Sequence, residues 1–171
     1  MRRVVVPPEV SAPSTAAGGA VHHLHGQTMG TTWSVKLAAH AQHPLSALQQ
    51  GIQRVLDNVV AEMSTWEPDS DLSRFNRAAA SSWVSLPPDC FRVLEYALRV
   101  ARDSEGAYDP SAGALVDLWG FGPVRHYMDP DFNVPSAAQL AQARERTGWQ
   151  RVAIDPTSHR ALQPGGVSLD L

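Results

Sequence analysis

The sequence predicts a mixed α+β domain with interspersed helices and a largely antiparallel sheet. Three observations carry this. Residues 31–37 (TTWSVKL) alternate, with Thr31, Trp33, Val35 and Leu37 on one side and Thr32, Ser34 and Lys36 on the other, the period of a half-buried strand. Leu45, Leu48, Ile52, Val55, Leu56, Val59, Val60 and Met63 recur at helical spacing, a stripe wide enough to face a core. The segments also follow one another without the regular βαβ spacing of a doubly wound sheet.

Residues 1–20 are rich in Pro, Ala, Ser and Gly, and His22, His23 and His25 follow. This reads as a disordered leader over 1–25, its histidines an exposed tail with adventitious metal affinity. The domain then runs over 26–171. His43-Pro44 ends the first strand, and the helix Leu45–Met63 follows. Glu67–Asp71 is turn chemistry, and Leu72–Phe75 adds a helical turn. Trp83–Leu86 is a short strand. Pro87-Pro88-Asp89 opens a second long helix with the face Phe91, Leu94, Ala97, Leu98 and Ala101, closed by Gly106. Cys90, at its start, reads as a buried structural thiol. Gly113–Trp119 is a short apolar helix, and a polar, aromatic loop runs from it to Pro135. Ser136 caps a helix that stops at Gly148. Val152–Ile154 and Val167–Leu171 read as strands. The last strand has no turn after it, which reads as a truncated chain.

Hydrophobic residues make up 43% of the 171 and charged residues 18%, enough apolar content for a core. Net charge is −3 and the longest basic run is Arg2-Arg3, so nucleic acid is not the expected partner. One cysteine excludes an internal disulfide and a cysteine-based zinc site. No transmembrane stretch, signal peptide or lipobox is visible. No G-x-G-x-x-G, Walker A, G-x-S-x-G or H-E-x-x-H sequence occurs.

Four segments carry residue types unusual for plain scaffolding. In Thr28–Thr32 a glycine flanked by hydroxyls precedes a strand, which permits close backbone approach by a ligand or simply a strand-entry turn. In Met63–Asn76, Trp66 stands at a helix exit beside acids and hydroxyls. It is either a stacking face for a planar ring or a helix-terminal core residue. Gly106–Ser111 is a Gly/Pro-shaped loop whose backbone groups can read a heterocycle edge, with Asp109 as ligand or turn residue. Asp117–Pro123 sets Trp119 and Phe121 between glycines, to pack something flat, either the core or a ligand.

Taken in order, these stretches resemble the ApbE family of FAD:protein FMN transferases. Met29–Lys36 (MGTTWSVK) resembles its opening motif and Met63–Asn76 (MSTWEPDSDLSRFN) its second. Gly106–Ser111 (GAYDPS) with Gly113–Pro123 (GALVDLWGFGP) resembles its third, and Leu169–Leu171 (LDL) the start of a fourth. The resemblance implies an enzyme that splits FAD and transfers FMN to a threonine or serine hydroxyl of an acceptor flavoprotein, with AMP leaving and Mg2+ assisting. It places Met29, Trp66, Ala107, Tyr108, Asp109 and Asp170 at positions that contact FAD. Trp66 stands where the family often has tyrosine, keeping the ring and losing the phenol; Ser111 stands where threonine is frequent. The family's metal ligands, an aspartate and a threonine, fall mainly beyond residue 171, as does the Lys- or Glu-containing stretch after Asp170. The resemblance names no catalytic residue or metal ligand in this chain. The expectation is therefore an amino-terminal part of the enzyme, weak or inactive alone. The alternative is a flavin-binding module or inactive fragment. Many relatives act at the outer face of the inner membrane; this sequence assigns no location.

Overall fold

The computed structural model describes residues 19–40, 44–124 and 126–171. Two compact units divide the chain, Met1–Arg54 and Val55–Leu171.

In the first unit, β1 (Ala20–Thr28) and β2 (Thr31–Ala39) form an antiparallel hairpin. Its two-residue turn is Met29-Gly30, with φ of 49° and 70°, the left-handed pair that matches strand twist. Gly30 adopts this freely, whereas Met29 does so against its Cβ. The register sets Trp33 opposite Gly26, where any Cβ would lie 2.6 Å from Trp33 Nε1. Trp33 Nε1 donates to Gln53 Oε1 (2.9 Å), Gln53 Nε2 to the Gln27 carbonyl (2.9 Å) and Gln49 Nε2 to the His25 carbonyl (2.7 Å). Helix α1 (Leu45–Met63) is thus pinned by its early glutamines to β1.

The 1–25 leader expectation is corrected here, because β1 begins at Ala20. Its inward set is His22, Leu24, Gly26 and Thr28, with Leu24 buried. A histidine and a glycine at inward positions hide this alternation from a hydrophobicity reading. His23 and His25 point to the exposed face. The leader's residues 1–18 lie outside the described residues.

The second unit holds the rest of α1, then α2 (Asp71–Asn76), β3 (Ser82–Ser85), α3 (Pro88–Asp103), α4 (Gly113–Leu118), α5 (Ala137–Glu145), β4 (Ile154–Asp155) and β5 (Arg160–Gln163). A 3-10 turn over Trp149–Arg151 precedes β4. The sheet is antiparallel in the order β3-β5-β4, with Val84 and Ile154 both paired to Ala161. Leu72 and Phe75 of α2, Phe91, Leu94 and Leu98 of α3, Ala161 of β5, and Val167 and Leu169 form one buried core. The α3 face matches the predicted stripe.

Two strand expectations change. Central strand β5 is absent from the sequence reading, and Val167–Leu171 is no strand. That segment makes one parallel bridge, Ala112 to Ser168. Side-chain amides meet its backbone groups instead: Gln163 Nε2 donates to the Phe75 and Val167 carbonyls (3.0 and 3.1 Å), and Gln163 Oε1 accepts from Gly165 N (3.1 Å). The strand expected over Val152–Ile154 is a turn end running into β4.

Helix α3 starts at two prolines and has no side-chain cap of its own. Glu62 of α1 supplies one, accepting from Cys90 N at 3.1 Å while held by Asn58 Nδ2 at 2.6 Å. A carboxylate at a helix start also meets the positive end of its dipole. Burial first, then Glu62 and Asp71, push the Cys90 thiol up to about 12. At pH 8 only about one such thiol in ten thousand is ionised. Cys90 should therefore stay unmodified by a thiol-disulfide reagent in the native protein and react fully in denaturant. Stoichiometric native labelling would contradict a structural role. Among the described residues, no helix is long and apolar enough to cross a membrane.

Candidate functional site

The second unit contains a cleft of about 320 Å³ between the α1–α2 turn, helix α4 with the segment after it, and the 168–170 segment.

The first wall is a hydroxyl-braced turn. Ser64 Oγ accepts the amides of Trp66 and Glu67 (3.1 and 3.3 Å), while the Ser64 carbonyl accepts Ser70 Oγ (2.6 Å) and Ser73 Oγ (3.2 Å). Ser70 also caps α2 through Ser73 N. This fixes the backbone under Trp66, yet its side chain is 58% exposed along the cleft. A large aromatic presented to solvent from a braced turn offers a surface for a planar partner. Arg77, at the end of α2, also lines the cleft, its guanidinium tied back to the Pro68 carbonyl.

The second wall comes from the chain's last residues. Asn76 grips the Leu169 peptide from both sides, Nδ2 donating to its carbonyl (2.9 Å) and Oδ1 accepting from its amide (2.8 Å). Asp170 N donates to the Pro110 carbonyl (2.8 Å), and Gly113 N to the Ser168 carbonyl (3.0 Å). A Cβ on Gly113 would meet that carbonyl at 2.7 Å, so the close approach needs glycine. Asp170 lines the cleft, and burial raises the pKa of its carboxyl.

The third wall is α4 and the segment after it. Asp117 lines the cleft with Phe121, Gly122, Pro123 and Val124. Burial raises its pKa, the Val124 N–H lowers it in part, and the charge of Asp170 raises it again. Asp117 therefore lies within electrostatic reach of Asp170.

The loop after α3 supplies Ala107, Tyr108 and Asp109. Ala107 N is spent on the Ser104 carbonyl (3.0 Å) and Tyr108 N on Ser104 Oγ (3.2 Å). The Tyr108 phenol is raised by burial, then by Asp170 and Asp109, which puts it within electrostatic reach of the cleft carboxylate. Asp109 is turned inward. Its Oδ1 accepts from Ser111 N (2.8 Å) and Ser111 Oγ (2.6 Å), and its Oδ2 from Trp149 N (3.2 Å). Buried Ser111 in turn accepts from Gly148 N (2.7 Å). Asp109 thus organises the loop and ties it to the 148–149 backbone.

Trp66 and Asp170 therefore line one cleft; Tyr108 is within electrostatic reach of Asp170, but Ala107, Tyr108 and Asp109 do not themselves line the cleft. Met29 belongs to the first unit, at the hairpin tip, with its side chain 60% exposed. Asn76, Arg77 and Asp117 were given no individual role by the sequence reading. Asn76 and Asp117 lie inside the motif stretches, and Arg77 is the next residue after one.

The sequence profile of the ApbE family matches residues 29–171. Similar curated proteins include the FAD:protein FMN transferases of Vibrio cholerae (39% identical over 137 residues, 78% of this chain and 39% of that protein) and Salmonella typhimurium (35% over 151 residues, 88% and 42%). Among solved structures, Pseudomonas stutzeri flavinyl transferase ApbE in its apo form superposes with a TM-score of 0.79 at 31% identity, over 89% of this chain and 49% of that one. Flavin transferase ApbE from Vibrio cholerae gives 0.80 at 34%, over 89% and 48%. The chain thus spans less than half the length of these relatives. A profile match over most of the residues, together with the same backbone path at above 30% identity, establishes that this chain belongs to the ApbE family.

Proposed function

We propose that the protein takes part in moving FMN from FAD to a threonine or serine hydroxyl of an acceptor flavoprotein, with AMP released. One observation carries the reading: an exposed, rigidly based Trp66 and a desolvated Asp170 line the same cleft. The first suits a planar ring; the second suits a polar edge or a cation. The names of the relatives, FAD:protein FMN transferase, support it. In this reading Trp66, Ala107, Tyr108, Asp109 and Asp170 contact the flavin dinucleotide, with Asp109 acting by shaping the loop, and Met29 keeps the FAD-contacting position that the family resemblance implies.

In the reaction the acceptor hydroxyl oxygen attacks the flavin-side phosphorus, the pyrophosphate bridge breaks, and AMP departs with the bridging oxygen. Such transfers depend on in-line placement and charge neutralisation more than on covalent help. Trp66 and the 168–170 backbone would supply placement, and Arg77 a positive group beside the phosphates. Magnesium would neutralise charge on the pyrophosphate. It asks for oxygen ligands in octahedral array, usually one or two carboxylates plus substrate phosphates and water. Among the described residues no group of three histidine, cysteine or acidic side chains stands together. In this reading the ion's protein ligands lie mainly beyond residue 171.

The test is incubation with FAD, magnesium chloride and a candidate acceptor, following AMP release and covalent flavin on the acceptor. Both are expected from the full-length parent, and weak or no transfer from residues 1–171 alone. FAD binding without AMP release in the full-length parent would replace transfer with a binding module. Absence of binding there would end the flavin reading.

A further inference from the structure

The stretch after α4 treats its apolar residues in two ways. Phe132 is half-buried, its ring set against Gly120, where a Cβ would lie 2.9 Å from Phe132 Cε2. Phe121, Tyr127 and Met128 are instead 62%, 50% and 71% exposed. Their backbone is nonetheless braced. Phe121 N donates to the Val116 carbonyl and Tyr127 N to the Gly120 carbonyl, both at 3.0 Å. His126 N donates to Asp129 Oδ2 (3.1 Å), and Met128 N to His126 Nδ1 (3.3 Å). The Phe121 and Tyr127 ring centroids lie 5.1 Å apart, and His126 stacks on Tyr127 at 5.0 Å. Local hydrogen bonds, rather than burial, hold these residues in place.

Phe121 also lines the cleft, so the exposed ring pair continues the cleft's surface outward. In the transfer reading above, the acceptor hydroxyl attacks a phosphorus held in that cleft. The acceptor chain on either side of the hydroxyl must then rest on the cleft's margins. Beside Trp66 the neighbours Glu67 and Asp69 are exposed and acidic; the margin that starts at Phe121 is apolar. We propose that Phe121, Tyr127 and Met128 form a docking surface for the acceptor flavoprotein, taking apolar side chains next to its target hydroxyl, a role that rests on the transfer reading. Aromatic residues and methionine are enriched where proteins meet, and a surface braced beforehand loses less freedom on binding.

The experiment uses the full-length parent with FAD, magnesium chloride and the acceptor that becomes flavinylated in the transfer assay above. Tyr127→Ala and Met128→Ala should each raise KM for that acceptor at least about fivefold, with kcat and FAD affinity within about twofold of wild type. Tyr127→Phe keeps the ring and should stay near wild type. In a second arm, Met128→benzoylphenylalanine is irradiated with and without the acceptor, and should crosslink to the acceptor. An unchanged acceptor KM in both alanine variants overturns the docking surface. Crosslinking to the parent's own chain or to a second copy, in place of the acceptor, overturns it as well and names what covers the patch. Loss of FAD affinity in both variants would assign the patch to the flavin site instead of the acceptor. If the wild-type parent binds no FAD or flavinylates no acceptor, the transfer reading itself falls and the docking role with it.

Discussion

Replacing Phe75 with alanine should destabilise the second unit by roughly 3–5 kcal/mol, the usual range for deleting a fully buried aromatic ring. Phe75 is fully buried on α2, packed in the core with Leu72, Leu94, Val167 and Leu169. Small and medium domains have only about 5–15 kcal/mol in total, so the variant would sit near its unfolding threshold. A urea titration should show a much lower midpoint with an unchanged slope. Phe121→Ala is the matched control. It removes the same ring from a position 62% exposed, and its stability should change by no more than about 0.5 kcal/mol. Equal effects at the two positions would mean that the buried cluster is not the core.

Asn76→Ala, one residue on, should damage stability and site together. Its amide satisfies both backbone groups of Leu169. Alanine leaves a part-buried donor and acceptor without partners, at about 1–3 kcal/mol each. The greater effect is on geometry. Asp170 follows directly on the released peptide, leaving the Pro110 carbonyl as the backbone anchor of its amide. FAD affinity should fall at least about tenfold. Asn76→Asp should rescue little, because a carboxylate accepts from the Leu169 amide but repels its carbonyl. A variant that melts and binds like wild type would remove Asn76 from the architecture of the site.

The legibility of these parts followed the range of the physics involved. Helices α1 and α3 announced themselves because their apolar residues repeat within each element, and β2 did so by alternation. β1 stayed hidden because its inward positions include His22 and Gly26. β5 stayed hidden because Arg160–Gln163 carries one alanine and one leucine, and its place between β3 and β4 comes from partners far away in sequence. Val167–Leu171 is instructive in the other direction. The alternation that suggested a strand correctly buries Val167 and Leu169, but side-chain amides take the place of a neighbouring strand. In the site, Trp66, Tyr108 and Asp170 stood out by residue type and motif. Asp109 stood out too, yet its carboxylate is turned inward. Asn76 acts through bonds to backbone 93 residues away, which no local pattern encodes.

The pairing of α2 with the 163–169 stretch also sets a timetable for synthesis. Gln163 reaches back 88 residues to Phe75, and Asn76 reaches forward 93 to Leu169. At translation speeds of about 5–20 residues per second, those partners emerge roughly 4 to 18 s after α2. Throughout that interval Leu72, Phe75 and Leu94 lack the strand and tail that cover them. A nascent chain in this state is a natural client for chaperones that bind exposed apolar segments, and slowed translation between α3 and β5 should lengthen that dependence.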